Sequence, residues 1–139
     1  MDEDKARRAA LELAERSEIA MVGTNGEVGS PHIKAMLKME TEGLKHVWFS
    51  TNTSSRRVRQ LQRDPKGSVY FVDHQQWQGL LLVGTFEIRQ DAAGRERLWR
   101  DGFEKYYPHG GKDPDYTVLR FTAQWGNFYH SLENVTFRV

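Results

Sequence analysis

The sequence contains no cysteine. This absence excludes disulfide bonds, thiolate nucleophiles and cysteine-ligated metal ions. No apolar run reaches the roughly 18 residues that suggest a transmembrane helix, and the N-terminal Asp2-Glu3-Asp4-Lys5 is unlike the basic start of a secretory leader. We therefore expect a protein that does not span a membrane and that is located in the cytoplasm.

The chain also lacks an excess of positive or negative charge: 20 basic and 19 acidic residues leave a net charge of +1. This balance argues against a nucleic acid or an anionic membrane as the main partner. The five histidines lie far apart in the sequence, so we predict no metal site. No glycine-rich nucleotide-binding motif of the P-loop or Rossmann type occurs.

The 139 residues are enough for one domain, and their pattern is mostly that of short strands. Residues 3–16 have the spacing of an amphipathic helix. Asn25-Gly26 predicts a two-residue hairpin turn, followed by an alternating strand over residues 30–39. Asp91 is a candidate cap for a helix over residues 92–106, whose aromatic face we interpret as core.

Residues 48–65 predict a buried strand, a hydroxyl-rich loop and a helix that ends at Asp64-Pro65. Arg56 and Arg57 fall in the first turn of this helix. A cation is unfavourable there, since the helix N-terminus is itself partly positive. Free N–H groups, hydroxyls and guanidinium groups together fit a phosphate. The alternative is that both arginines point into water.

This segment resembles the phosphate loop of the pyridoxamine 5′-phosphate oxidase-like split-barrel family, which binds flavin mononucleotide (FMN). Ser50-Thr51 and Ser55-Arg56-Arg57 occupy the places of the family's strand end and Ser-Arg-Lys triplet. Arginine replaces the usual lysine, and it can bind phosphate oxygens two at a time. Lys34-Ala35-Met36 matches the family's Arg-Pro-Met, with lysine for arginine.

A second, distant match indicates the general stress protein branch of the same family. It consists of Leu98-Trp99, Tyr107-Pro108-x-Gly110 and Asp113-Pro114-x-Tyr116, followed by a long run of β-forming residues. The two matches together cover residues 30–129. The resemblance therefore extends over most of the chain.

The resemblance implies a mainly β fold: a single FMN-binding split barrel over residues 1–139, antiparallel and of Greek-key type, with peripheral helices. It implies a homodimer with the cofactor at the subunit interface. Arg56, Arg57 and Lys34 are expected to neutralise the phosphate. The complete set of expected cofactor-binding residues is Lys34, Ala35, Met36, Ser50, Thr51, Ser55, Arg56 and Arg57. Three aromatic residues are candidates to cover the flavin ring: Trp77, Trp125 and Tyr129.

The substrate does not follow from the resemblance, and no catalytic residue is identified. True pyridoxamine phosphate oxidases carry a C-terminal Arg-x-His motif, which residues 130–139 lack, so we do not expect that activity. Two functions stay open: a flavin-dependent oxidoreductase acting on a small molecule, and a non-catalytic flavin-binding or flavin-sequestering stress protein. A deazaflavin or haem is an alternative occupant of the pocket.

Overall fold

The computed structural model describes residues 1–139 and consists of a β-barrel with three α-helices. The helices are α1 (Glu3–Arg16), α2 (Arg56–Arg63) and α3 (Ala92–Leu98). The strands are β1 (Ile19–Asn25), β2 (Pro31–Glu42), β3 (His46–Asn52), β4 (Lys66–Asp73), β5 (Gln78–Arg89), β6 (Tyr116–His130) and β7 (Glu133–Arg138). None of the helices is long and apolar enough to cross a membrane.

Six antiparallel strands close the barrel in the order β3-β2-β1-β4-β5-β6, and β6 pairs again with β3. The order β3-β2-β1-β4 is that of a Greek key. Strand β7 extends the sheet beside the second half of β6. Closure leaves few exposed strand edges. The predicted antiparallel, Greek-key barrel with peripheral helices is confirmed.

Helix α1 closes one end of the barrel and has the bounds that the sequence pattern predicts. Its buried residues, Ala6, Ala10 and Leu13, recur at helical spacing and join the main core. At its C-terminus, Lys38 Nζ donates hydrogen bonds to the carbonyl oxygens of Ala14 and Glu15, at 2.7 and 2.8 Å. Lys38 therefore caps this helix.

The barrel is split between β2 and β3. Their ladder runs only from Glu42 opposite His46 to Lys38 opposite Phe49. Beyond that point, residues 31–37 of β2 pair only with β1, and residues 50–52 of β3 pair only with β6. Helix α2 follows β3 directly, so its N-terminus lies beside this opening.

The predicted two-residue turn at Asn25-Gly26 is wrong. A five-residue loop joins the strands, and the residue with positive φ is Gly29, at 85°. A turn at Asn25-Gly26 would pair Thr24 with residue 27, whereas Thr24 pairs with His32. This shift is an odd number of residues, so it exchanges the two faces of β2. It places Lys34 on the same side as the buried Val22.

The helix predicted over residues 92–106 ends much earlier, at Leu98. Gly102, at φ 95°, precedes a 3₁₀ turn at residues 103–105, and a second 3₁₀ turn lies at residues 110–112. Consequently Tyr106, predicted as core, is 71% exposed, and Tyr107 is buried in its place. A propensity pattern cannot anticipate this break because glycine is tolerated within many helices at a modest cost.

Candidate functional site

A cavity of about 410 Å³ opens in the split of the barrel, beside the N-terminus of α2. None of its ten lining residues is acidic, and three of them carry positive charge. The lining residues are Val22, Thr24, His32, Ile33, Lys34, Asn52, Ser55, Arg56, Arg57 and Gln60. This arrangement suits an anionic ligand, since no carboxylate of the cavity wall competes for the cations.

The first turn of α2 presents unpartnered backbone donors at this cavity. Ser55 is the N-cap, and its Oγ accepts the amide N–H of Val58 at 3.2 Å. The amide N–H groups of Arg56 and Arg57 have no acceptor within the chain. Helix N-termini of this kind bind anions because the donors and the helix dipole act together.

Arg57 is a half-buried cation without a counterion. Its Nη2 donates to Thr51 Oγ1 at 3.0 Å, while its Nε is buried and has no hydrogen-bond partner. No salt bridge of the structure includes it. Burial lowers the pKa of Arg57, and the nearby Tyr107 acts in the opposite direction. A half-buried guanidinium group without a carboxylate partner fits a ligand that accepts charge-assisted hydrogen bonds.

Lys34 brings a third positive charge from the other side of the split. It lies on β2 opposite Val22 of β1, in the part of the strand that has no partner in β3. Its ammonium group also takes part in no salt bridge. The cavity is therefore flanked by guanidinium groups on the helix and by an ammonium group on the strand.

The loop between β3 and α2 is held in place by the turn at Asp113 and Asp115. The backbone N–H of Thr53 donates to the Asp115 carbonyl at 2.6 Å, and that of Ser54 donates to Asp115 Oδ1 at 2.8 Å. Asp113 accepts the amides of Asp115 and His109, which lowers the pKa of its carboxyl group. Asp115 thus holds the hydroxyl-rich loop, and Asp113 holds the turn that contains Asp115.

The structure brings four of the eight predicted binding residues to the cavity: Lys34, Ser55, Arg56 and Arg57. Thr51 lies behind them as the acceptor of the Arg57 hydrogen bond. The other three lie elsewhere. Met36 is buried in the main core, Ala35 is exposed on the outer side of β2, and Ser50 Oγ lies 3.2 Å from Tyr116 Oη. Their contact with a ligand stays a prediction.

Four polar residues of the cavity wall were not predicted as site residues: Thr24, His32, Asn52 and Gln60. Thr24 Oγ1 donates to Gln60 Oε1 at 2.6 Å, and Gln60 Nε2 donates to His32 Nδ1 at 3.1 Å. The sequence gives no signal for this chain of bonds, because it joins β1, α2 and β2 only after the barrel has closed. Thr24 and Gln60 are buried, and the hydrogen bonds of this chain offset the cost of removing their polar groups from water.

The three aromatic candidates for covering a flavin ring do not line the cavity of their own chain. Trp77 is 56% exposed and contacts Tyr129 edge-on, with ring centroids 6.5 Å apart. Trp125 is also exposed, and it pairs with Val83 on the outer side of the barrel. Their contact with a ligand stays a prediction.

The chain matches a known family over nearly its whole length. Residues 5–139 match the model of the family described as "Pyridoxamine 5'-phosphate oxidase like". No curated protein matches the chain.

Solved structures agree with this match. A Clostridium acetobutylicum protein, described as related to general stress protein 26 of B. subtilis and of the pyridoxinephosphate oxidase family, is 53% identical. The alignment covers 100% of this chain and 97% of that one, with a TM-score of 0.89. General stress protein 26 from Bacillus anthracis is 14% identical, with 100% of both chains covered and a TM-score of 0.76. A heme binding protein from Mycobacterium smegmatis is 18% identical, with 96% and 57% covered and a TM-score of 0.77. The last two show a common fold.

Proposed function

Because the chain belongs to the pyridoxamine 5′-phosphate oxidase-like family, we propose that its cavity binds FMN with the phosphate at the N-terminus of α2. The observation that carries this proposal is the pair Arg56 and Arg57, which line the cavity from the first turn of α2 and take part in no salt bridge. Together with the free amides of the first helical turn and the absence of acidic residues from the cavity, it describes a site for a dianion. The expected cofactor therefore fits the residues that are present.

Each group of the site has a defined part in this proposal. Arg56, Arg57 and Lys34 neutralise the phosphate, and Ser55 and Thr51 offer hydroxyl groups near it. The unpaired edges of residues 31–37 and 50–52 leave backbone donors and acceptors beside the cavity, where they are available to the flavin ring. Bound FMN supplies the redox chemistry, and the protein sets its orientation and its access to solvent.

We propose further that the protein is an FMN-dependent oxidoreductase of a small molecule other than pyridoxamine 5′-phosphate. The alternative, a flavin-sequestering stress protein, is favoured by the similarity to a protein described as related to general stress protein 26. Anaerobic mixing of the FMN-loaded protein with NADH or NADPH separates the two. Bleaching of the flavin absorbance, followed by reoxidation with an added acceptor, supports the enzyme, whereas no reduction by any donor supports sequestration.

The homodimer expected from the family has a candidate surface on the outer side of β1 and β2. Ile19 lies opposite Leu37 and Met21 lies opposite Ala35, so these apolar side chains share one face. Ile33 continues the same face and is 74% exposed. A contiguous exposed apolar surface of this kind marks an interaction site. We propose that a second copy of the chain covers it, since the family resemblance implies a homodimer.

The identity of the cofactor is tested by the visible spectrum and the mass of the small molecule that co-purifies with the protein. FMN, a deazaflavin and haem differ in both properties, so one sample distinguishes them. A protein that purifies without a chromophore and takes up no added FMN would contradict the proposal. The cytoplasmic location stays a prediction.

The position of the phosphate is tested by Arg56→Ala combined with Arg57→Ala. Loss of two charge-assisted contacts is expected to lower FMN affinity at least ~100-fold while the far-ultraviolet circular dichroism stays that of the wild type. The matched control is Arg63→Ala with Lys66→Ala, which removes the same net charge at the last residue of α2 and the first residue of β4. Equal FMN affinity of the two double variants would place the phosphate elsewhere.

A further inference from the structure

Gln60 is a polar side chain in a position that otherwise suits a hydrophobic residue. It is only 1% exposed and lies on α2 between two other buried residues, Val58 and Leu61. Burying an amide group without partners is costly. Two hydrogen bonds of the Gln60 amide, one to Thr24 and one to His32, offset this cost.

The two bonds connect three different elements. Thr24 belongs to β1, His32 belongs to β2, and Gln60 belongs to α2. Because an amide NH₂ group only donates, His32 Nδ1 accepts, and the proton of the neutral ring is on Nε2. The amide oxygen of Gln60 is meanwhile fixed by the buried Thr24 hydroxyl at 2.6 Å. The side chain therefore has one defined orientation.

The connected elements are those that carry the cations of the cavity. Helix α2 carries Arg56 and Arg57, and β2 carries Lys34 two residues beyond His32. Along this half of β2 there is no ladder with β3, the strand that leads into α2. The bond from Gln60 to His32 is thus a direct connection between the helix and the unpaired strand across the split.

We propose that Gln60 is the positioning residue of the anion site, which holds the first turn of α2 at the correct distance from Lys34. This inference rests on the proposed function of the cavity as an FMN site. Gln60 acts through the groups that it aligns and leaves the phosphate contacts themselves to the arginines, the lysine and the helix amides. Small displacements of binding groups weaken binding strongly, because several contacts must be made at once.

The test compares FMN with riboflavin, which has the same ring and ribityl chain and lacks the phosphate. Gln60→Met keeps the length of the side chain and removes both hydrogen bonds. We expect FMN affinity to fall about tenfold and riboflavin affinity to change less than about twofold. Leu61→Met is the matched control, since it places the same residue at the neighbouring buried position of α2, which faces the main core. Its ratio of FMN to riboflavin affinity is expected to equal that of the wild type.

Thr24→Val is the second variant and keeps the test decisive if Gln60→Met does not fold. It removes only the hydroxyl that orients Gln60, so the expected loss of FMN affinity is smaller, about threefold, again without an equal loss for riboflavin. An unchanged affinity ratio in these variants, or an equal loss for both flavins, overturns the positioning role. A wild-type protein without preference for FMN contradicts the proposed function instead, so the two failures are distinguishable.

Discussion

At the residue scale, Arg57 is a cation whose position suits a ligand better than it suits the ligand-free fold. Its Nε is buried without a partner, and no carboxylate neutralises it. Unpaired charge of this kind destabilises a folded chain, since part of its hydration is lost. Functional sites commonly retain groups that lower stability.

Arg57→Met is therefore expected to stabilise the ligand-free protein while it weakens FMN binding. The gain in the free energy of unfolding should be about 1 kcal/mol, discounted because the side chain is only half-buried. Urea denaturation of the ligand-free protein measures it. Arg63→Met, at an exposed position of the same helix, serves as the control and should change stability by less than about 0.5 kcal/mol. A clear loss of stability in Arg57→Met would mean that the guanidinium group has a structural role.

Tyr107 is a second residue whose pKa is shifted. Burial, and to a smaller extent Asp115, raise its pKa to about 12. The neutral phenol is thus favoured in the folded state, and its contribution to stability is complete below the ordinary tyrosine pKa of about 10. That contribution is lost as the pH rises through the folded-state value of about 12.

Tyr107→Phe should consequently make the unfolding free energy fall less steeply between these two pH values. The pKa values of Tyr70 and Tyr116 are raised as well, and both remain in the variant, so the slope is reduced and not abolished. Chemical denaturation at several alkaline pH values gives the slope. Identical slopes for the variant and the wild type would show that Tyr107 ionises in the folded state as in the unfolded one.

Local motifs predicted single residues well wherever the chemistry is local. Ser55, Arg56 and Arg57 lie together on one cavity, because a cap residue and the first helical turn are adjacent in sequence, and their contact with FMN stays a prediction. Gln60 and Asp115 could not be predicted. Their partners lie on distant strands and turns, and a glutamine in a helix or an aspartate in a turn is most often exposed.

At the element scale, the helices α1 and α2 follow directly from their amphipathic patterns and caps. The hairpin between β1 and β2 and the length of α3 do not. In both places glycine permits a conformation that the packing of neighbouring elements selects, at Gly29 and at Gly102. The length of the loop between β1 and β2 is important for the site, because the longer loop places Lys34 on the inside of the split.

Strand β5 contains a glycine that the barrel requires. The ladder between β5 and β6 shifts register at Val83 and Gly84, and a Cβ on Gly84 would overlap the carbonyl oxygen of Thr122. Gly84→Ala is therefore expected to lower the free energy of unfolding by at least ~3 kcal/mol. Gly111→Ala is the control, since its added Cβ would lie 3.9 Å from the nearest atom, in ordinary contact with Trp99. Equal stability of the two variants in thermal denaturation would contradict the close approach.

At the scale of the whole molecule, the cavity and the apolar outer face share β2. Its inner side carries His32 and Lys34, its outer side carries Leu37, and Ile33 belongs to the exposed outer face while it also lines the cavity. Association of two chains over this face would therefore fix the strand that carries Lys34. The proposed homodimer and the proposed cofactor site depend on each other in this way.

The dimer is tested by Ile19→Lys combined with Leu37→Glu. These residues are directly opposite and are 46% and 50% exposed. Opposite charges on adjacent strands are compatible with the sheet, whereas burying them in an interface is costly. Light scattering should show a dimer for the wild type and a monomer for the variant. Val28→Glu, at a loop residue that is 88% exposed, should stay dimeric. A monomeric wild type would contradict the proposed interface.

The most direct test of the central claim is a crystal structure of the FMN-loaded protein. We predict that the phosphate lies at the N-terminus of α2, with its oxygens within hydrogen-bonding distance of the Arg57 guanidinium group and of the free amides of Arg56 and Arg57. An N-terminus of α2 that contacts only solvent, with the nucleotide bound on another surface, would contradict it.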